Sequence, residues 1–202
     1  MISWTADVRA EWKRLAEEFG AELIQKGVPT SMDNFDRVVY RHRGLPVTLD
    51  YFRRNESTFT RVYAPFAHRS GFEFAIYPSN FVEEFAKWFG MQDIAAGDAD
   101  FDRSVIVKGA DEARVKEFLA NAKIRELLPA IVKKGIFTQS FYAGEKPEGV
   151  PGKADHLVFI HPGAVNDIEL LKLIFRLFIE SLDQLAAMGI VAPPGASDAS
   201  TR

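Results

Sequence analysis

Between residues 35 and 77 the chain carries four short runs of β-branched and aromatic residues: Val38-Val39-Tyr40, Val47-Thr48-Leu49, Phe59 to Tyr63 and Phe72 to Tyr77. Arg43-Gly44, Arg54-Asn55-Glu56 and Arg69-Ser70-Gly71 separate them, and residues of this kind mark tight turns between strands. The pattern predicts an antiparallel meander of about four strands. No other stretch of the sequence constrains the fold as strongly.

Helical periodicity flanks the meander. Val8, Trp12, Leu15, Phe19 and Leu23 recur at spacings of three and four, predicting a helix over residues 5–26 that Gly27 and Pro29 stop. Ser79-Asn80 with Glu83 has the form of a capping box, opening a helix through Phe81, Val82, Phe85, Trp88 and Phe89 that Gly90 closes. Ser104 to Val107 reads as a strand, and Asp111 caps a helix carrying Val115, Phe118 and Leu119. A further helix over residues 123–134 contains Pro129, which predicts a break there because proline removes a backbone donor and clashes with the preceding turn. Residues 136–142 and 157–160 read as two more strands joined by a mobile loop, and Asp167 starts a long helix to about Met188.

This order lacks the regular βα alternation of a doubly wound parallel sheet. It predicts an α+β fold: a mainly antiparallel sheet of six to seven strands, with an N-terminal helix, two or three middle helices and a long C-terminal helix packed on it. At 202 residues one core suffices, so a single domain is expected over residues 1–192, with a disordered tail at 193–202 too poor in apolar surface to fold. Phenylalanine occurs 17 times, which predicts a bulky aromatic core.

Composition narrows the chemistry. The absence of cysteine excludes disulfides, thiolate nucleophiles, iron–sulfur clusters and cysteine-ligated zinc. The first residues lack the basic and then apolar pattern of a secretory signal, and charges interrupt every apolar run before membrane-spanning length, so a soluble cytoplasmic protein is expected. A formal net charge of −3 gives no global attraction to nucleic acid or acidic lipid.

Locally the charge is uneven. From Arg37 to Arg69, seven arginines face only Asp50 and Glu56, whereas from Glu73 to Asp102 seven acids face only Lys87. The plain expectation is that the two segments neutralise each other across the fold. If instead they lie apart, Arg41, Arg43, Arg53, Arg54 and Arg61, with Tyr51 and Phe59 among them, form a surface suited to an acidic partner. The same arginines, interleaved with Tyr40, Phe52 and Tyr63, also suit the phosphates and stacked bases of single-stranded nucleic acid.

Other features carry weaker chemistry. Asp98, Asp100 and Asp102 alternate like the first ligands of a calcium loop, but Arg103 stands where that loop needs glycine and Gly109 where it needs a bidentate glutamate. They remain candidates only for another cation, in a metal-dependent hydrolase that would also use His156 or His161. Those two histidines lie five apart on one strand, which puts them on opposite faces, and His42 and His68 bring no partners at ligand spacing. No catalytic constellation and no cofactor motif is present. The last helix is apolar over more than one face, predicting either central burial or a homodimer seam over residues 167–188, while Glu169, Lys172, Arg176 and Glu180 argue against membrane insertion.

The segment Gly97-Asp98-Ala99-Asp100-Phe101-Asp102-Arg103-Ser104-Val105-Ile106-Val107-Lys108-Gly109 resembles one that recurs in an uncharacterised bacterial protein family, where it leads into a strand and an Asp-capped helix. Over residues 90–130 the resemblance implies a bacterial structural unit and no activity. The function expected from the sequence is that of a non-enzymatic binding or regulatory protein for a protein or other acidic partner.

Overall fold

A computed structural model describes residues 6–25, 36–54, 56–67, 70–79, 92–134, 140–144, 150 and 153–191. Nine strands form one sheet: β1 (Glu22–Ile24), β2 (Arg37–His42), β3 (Leu45–Arg54), β4 (Ser57–Ala67), β5 (Phe74–Pro78), β6 (Gln92–Asp93), β7 (Val105–Gly109), β8 (Ser140–Gly144) and β9 (Asp155–Pro162). Five helices accompany them: α1 (Ala6–Phe19), α2 (Ala99–Ser104), α3 (Glu112–Leu119), α4 (Ala122–Lys134) and α5 (Ile168–Ala187). Residues 80–90 of the helix predicted after Ser79, the tail and parts of both long connections lie outside the described residues.

The α+β class and the antiparallel sheet are as the sequence predicts, but there are nine strands rather than six to seven. The order across the sheet is β1-β2-β3-β4-β9-β8-β5-β7-β6, with every neighbouring pair antiparallel. The first three runs of the predicted meander are consecutive hairpin strands. The fourth, β5, does not pair with β4: the β8–β9 hairpin inserts between them, and β5 pairs with β8 and β7 instead.

Both extra strands are short edge pieces. The N-terminal helix ends at Phe19 rather than continuing to residue 26, because Gly20 takes φ +62 and the Ala21 amide donates to the Ala16 carbonyl at 2.8 Å, closing the last turn. The chain then turns back as β1, and Leu23, read from periodicity as a helix position, packs on the core from a strand. At the other edge two residues of β6 pair with the end of β7.

Helix α4 runs unbroken through Pro129, contrary to the expected break. Ile124, Leu128 and Ile131 are buried against the core on both sides of the proline, and that packing holds the two halves in one helix. Helix α5 begins where predicted, with the Asp167 carboxylate accepting from the Glu169 and Leu170 amides. Its wide apolar stripe is spent inside the chain. Leu170, Leu171, Ile174, Phe175, Leu177, Phe178, Leu182 and Leu185 are all buried, α5 packing beside α1 and α4 and against β4. This is the central burial weighed above, and it leaves the stripe unavailable as a wide seam.

The main core lies between these helices and one sheet face, and Phe72, Phe74, Phe118, Phe141 and Phe178 interlock there at ring separations of 4.9–6.0 Å. A second buried cluster of Tyr63, Ala75, Tyr77, Tyr142, Val150 and Val158 occupies the opposite face, so the central strands are covered on both sides. Gly109, at the end of β7, shows how close the packing is: a Cβ there would stand 2.7 Å from Val115 Cγ2 and 2.9 Å from Ile94 Cδ1. Gly109→Ala is therefore expected to destabilise the fold by about 1–3 kcal/mol through overpacking, measurable as a lower urea midpoint with an unchanged m-value.

Candidate binding surface

The seven residues singled out as a binding surface do not form one patch. Strand β3 fixes this, because its side chains alternate between faces and its two hairpin turns lie at opposite ends. Arg61 is not at the surface. It sits on the face away from the helices, only 5% exposed, and its Nε and Nη2 donate to Asp50 Oδ1 and Oδ2 at 2.9 and 2.8 Å. The Phe52 and Tyr63 rings lie 4.8 Å from the guanidinium carbon, so the charge is held between two aromatic faces. Phe59 packs on Phe52 at 5.2 Å as part of the same box.

Burial pushes the Asp50 carboxyl above the ordinary carboxylate range, against the opposing pull of Arg61, Arg37 and the Tyr63 hydroxyl. The Tyr142 hydroxyl on this face is likewise pushed up by burial, to about 12. Counting outward from the Arg54–Ser57 pair places Asp50 opposite Arg61. Sequence reasoning tallied the two as separate charges and did not apply that register.

Tyr51 points the other way, into the helix layer. It stacks on Trp12 at 4.8 Å with the rings 3° from parallel, and it is buried. Arg43 is the one described non-glycine residue with positive φ, at 51°, as the tight β2–β3 turn requires. Its Nε donates to Asp183 Oδ1 on α5, which also faces His42 Nε2 at 2.7 Å, so this hairpin is clamped to the last helix. These donors hold the Asp183 carboxyl below its usual range despite some burial.

Arg41, Arg53 and Arg54 remain exposed. Arg41 and Arg43 lie at one end of β3 and Arg53 and Arg54 at the other, a separation of roughly 23–30 Å at the usual rise per strand residue.

Among the described residues no ion pair joins the acidic segment to these arginines, Glu83 and Glu84 of that segment lying outside the described residues. The basic strands β2 to β4 occupy one side of the sheet, while β6, α2 and β7 occupy the other. Five strand spacings separate β3 from β7, about 24 Å. Among the described residues the ion pairs of these segments are local or lead elsewhere: Arg61 with Asp50, Arg43 with Asp183, Lys108 with Asp93 and Arg103 with Asp100.

The three loop acids serve the fold. Asp98 caps the short helix α2, accepting from the Asp100 and Phe101 amides at 3.1 Å. Asp102 accepts from the amides of Ala96 and Gly97, and Asp100 pairs with Arg103. No group of three or more His, Asp or Glu side chains among the described residues is placed to hold a metal ion. His156 lies on the Arg61 face and His161 on the helix face, as their spacing predicts.

One polar group escaped sequence reasoning. On the helix face Tyr51 pairs with Thr60 and Thr60 with His161, and extending the β2–β3 register by two residues brings Asp36 alongside Tyr51. Asp36, Tyr51, Thr60 and His161 are all buried, in a layer that is mostly apolar. The only sequence signal for it is the strand register, since none of these residues belongs to a motif.

The chain is thus an α+β protein built on one antiparallel nine-stranded sheet. No protein-family model matches it, and no curated protein matches it significantly. Among the described residues no helix is long and apolar enough to cross a membrane.

The Asp50–Arg61 pair generates a direct test. Arg61→Met leaves a buried carboxylate without its partner and is expected to cost about 3–5 kcal/mol in denaturant unfolding, whereas Asp50→Leu combined with Arg61→Met is expected to fall within about 2 kcal/mol of the parent. A double variant as damaged as the single one would show that the pair does more than neutralise itself.

Proposed function

We propose that this is a non-enzymatic binding or regulatory protein that engages an acidic partner, a protein in the first instance, through the hairpins of β2, β3 and β4. The observation that supports this reading best is the charge separation along the sheet: Arg41, Arg53 and Arg54 are exposed on one side, and the described acids Asp93, Asp98, Asp100 and Asp102 belong to the elements at its other edge, with β7 about five strand spacings from β3. The recognition surface in this reading is the hairpin ends rather than an open sheet face, since the central strands are covered on both sides. The bacterial, cytoplasmic setting expected from the sequence belongs to the same proposal.

The nucleic-acid alternative has less support. One of its aromatics, Tyr51, is withdrawn into the core, and a strand would have to bridge two cationic ends with no fully exposed aromatic among the described residues between them. The metal-dependent hydrolase is supported still less, because Asp98 and Asp102 hold backbone amides and Asp100 is paired with Arg103.

The test is a titration of the whole chain with a polyglutamate peptide and with an oligothymidylate at two salt concentrations, alongside Arg41→Glu and the double variant Arg53→Glu, Arg54→Glu. Peptide binding that weakens about tenfold or more in the double variant and falls with added salt is the expected result. Oligonucleotide binding in its place would turn the reading to nucleic acid. Binding of neither probe, or binding indifferent to the substitutions, would overturn it.

A further inference from the structure

Polar side chains are expensive to bury unless each finds a partner, and the row Asp36, Tyr51, Thr60 and His161 is mostly well provided. Asp36 accepts from Arg9 Nε at 2.7 Å. Thr60, paired with Tyr51 across the β3–β4 ladder, donates its hydroxyl to the Gly163 carbonyl at 2.7 Å and accepts from the Val165 amide at 2.9 Å. Trp12 Nε1 donates to the Val165 carbonyl at 3.3 Å while its ring stacks on Tyr51. One small network therefore joins α1, β3, β4 and the turn after β9.

His161 stands at the end of that row without an equivalent partner. It is 8% exposed, and its Nδ1 makes no hydrogen bond of good geometry. Ion pairs tie together several of the charged groups on the elements around it: Arg9 on α1 with Asp36 ahead of β2, Lys134 at the end of α4 with Asp167 ahead of α5, and Lys172 on α5 with Glu18 on α1 and with Glu169, while Arg125 and Lys133 on α4 and Arg176 on α5 add positive charge rather than a counter-ion. Tyr51 and Thr60 are its neutral neighbours across the sheet. No carboxylate among the described residues acts on the imidazole. Burial lowers its proton affinity, and the Pro162 carbonyl offsets only part of that.

We propose that His161 is a proton-operated switch, its protonation in mildly acidic conditions loosening α1 and the turn at residues 163–165 from the end of the sheet. The sign follows from the direction of the shift. The folded state holds the proton less well than the unfolded chain, so the stability it contributes is complete above the unfolded value of about 6.5 and is lost as pH falls through and below it. Among the described residues an added charge on His161 meets no free counter-ion, the Asp36 carboxylate at the far end of the row being held by Arg9, and burial leaves it little water. The elements that move are those whose hydrogen bonds meet there, which are Trp12 to Val165 and Thr60 to Gly163 and Val165.

The switch is tested on the full chain by amide hydrogen exchange at about pH 7.5 and about pH 5.5, corrected for the intrinsic pH dependence of exchange, together with an NMR titration of the histidine rings. Opening of α1 and of the Val165 amide is expected to rise about five- to tenfold at the lower pH in the parent and to stay level in His161→Phe. His156→Gln, altering the histidine on the opposite face, is expected to behave like the parent. Should His161→Phe not fold, His161→Asn serves in its place, and the parent's own titration still decides. Exchange in the parent that does not change with pH, the same rise in the His161 variants, or a His161 ring that titrates at or above about 6.5 would each overturn the proposal.

Discussion

Everything in this molecule is arranged around the burial of α5. A helix of 20 residues with nine buried positions cannot be left beside a sheet edge, so it lies over the middle of the layer with α1 and α4 against it. It packs on β4, the strand where the N-terminal hairpins meet the β8–β9 hairpin, and so it covers the join between the two halves of the sheet. Apolar area removed from water on this scale dominates the favourable side of folding. The polar contacts attached to α5 then set its position: Asp183 takes the β2–β3 hairpin, Glu180 takes Lys123 of α4, and the Gln184 side chain donates to the Glu117 carbonyl at the end of α3.

The sheet topology that α5 covers also decides how the charges are disposed. Insertion of the β8–β9 hairpin between β4 and β5 moves the fourth strand of the expected meander away from the first three, and the acidic segment that follows it moves as well. A simple meander would have set the basic and acidic segments side by side. In the observed order the described acids Asp93, Asp98, Asp100 and Asp102 belong to the edge of the sheet opposite the basic hairpins, and exposed charges that far apart are largely screened from each other at ordinary salt. The same insertion buries Arg61, because β9 supplies the neighbouring strand on the far side of β4 and converts an edge position into an interior one.

Much of the secondary structure was legible. Asp111 and Asp167 announced their helices because a short acceptor side chain before an apolar-periodic run satisfies amides that the helix cannot. The hairpins of β2, β3 and β4 were legible from turn residues at the right intervals. The errors have physical causes. Leu23 continued the helical period by coincidence, while Gly20 had already turned the chain. Pro129 broke a local rule, and core packing on both sides of it prevailed. The acids at 98, 100 and 102 looked like ligands because a capping and loop-closing set uses the same residue types at the same short spacings. The candidate surface was legible as a list of arginines but not as a shape, since exposure of each depends on which strand lies beside it.

The sequence by itself determined the α+β class, the antiparallel sheet, the aromatic core and the opposite facing of His156 and His161, because these follow from local propensity and from the two-residue period of a strand. Only the tertiary structure decided the strand order, the separation of the two charged segments, the pairing of Asp50 with Arg61 and the buried row that ends at His161. Those depend on which distant segments become neighbours, and that is settled by the summed burial of large apolar side chains, a non-directional force that no short stretch of sequence records.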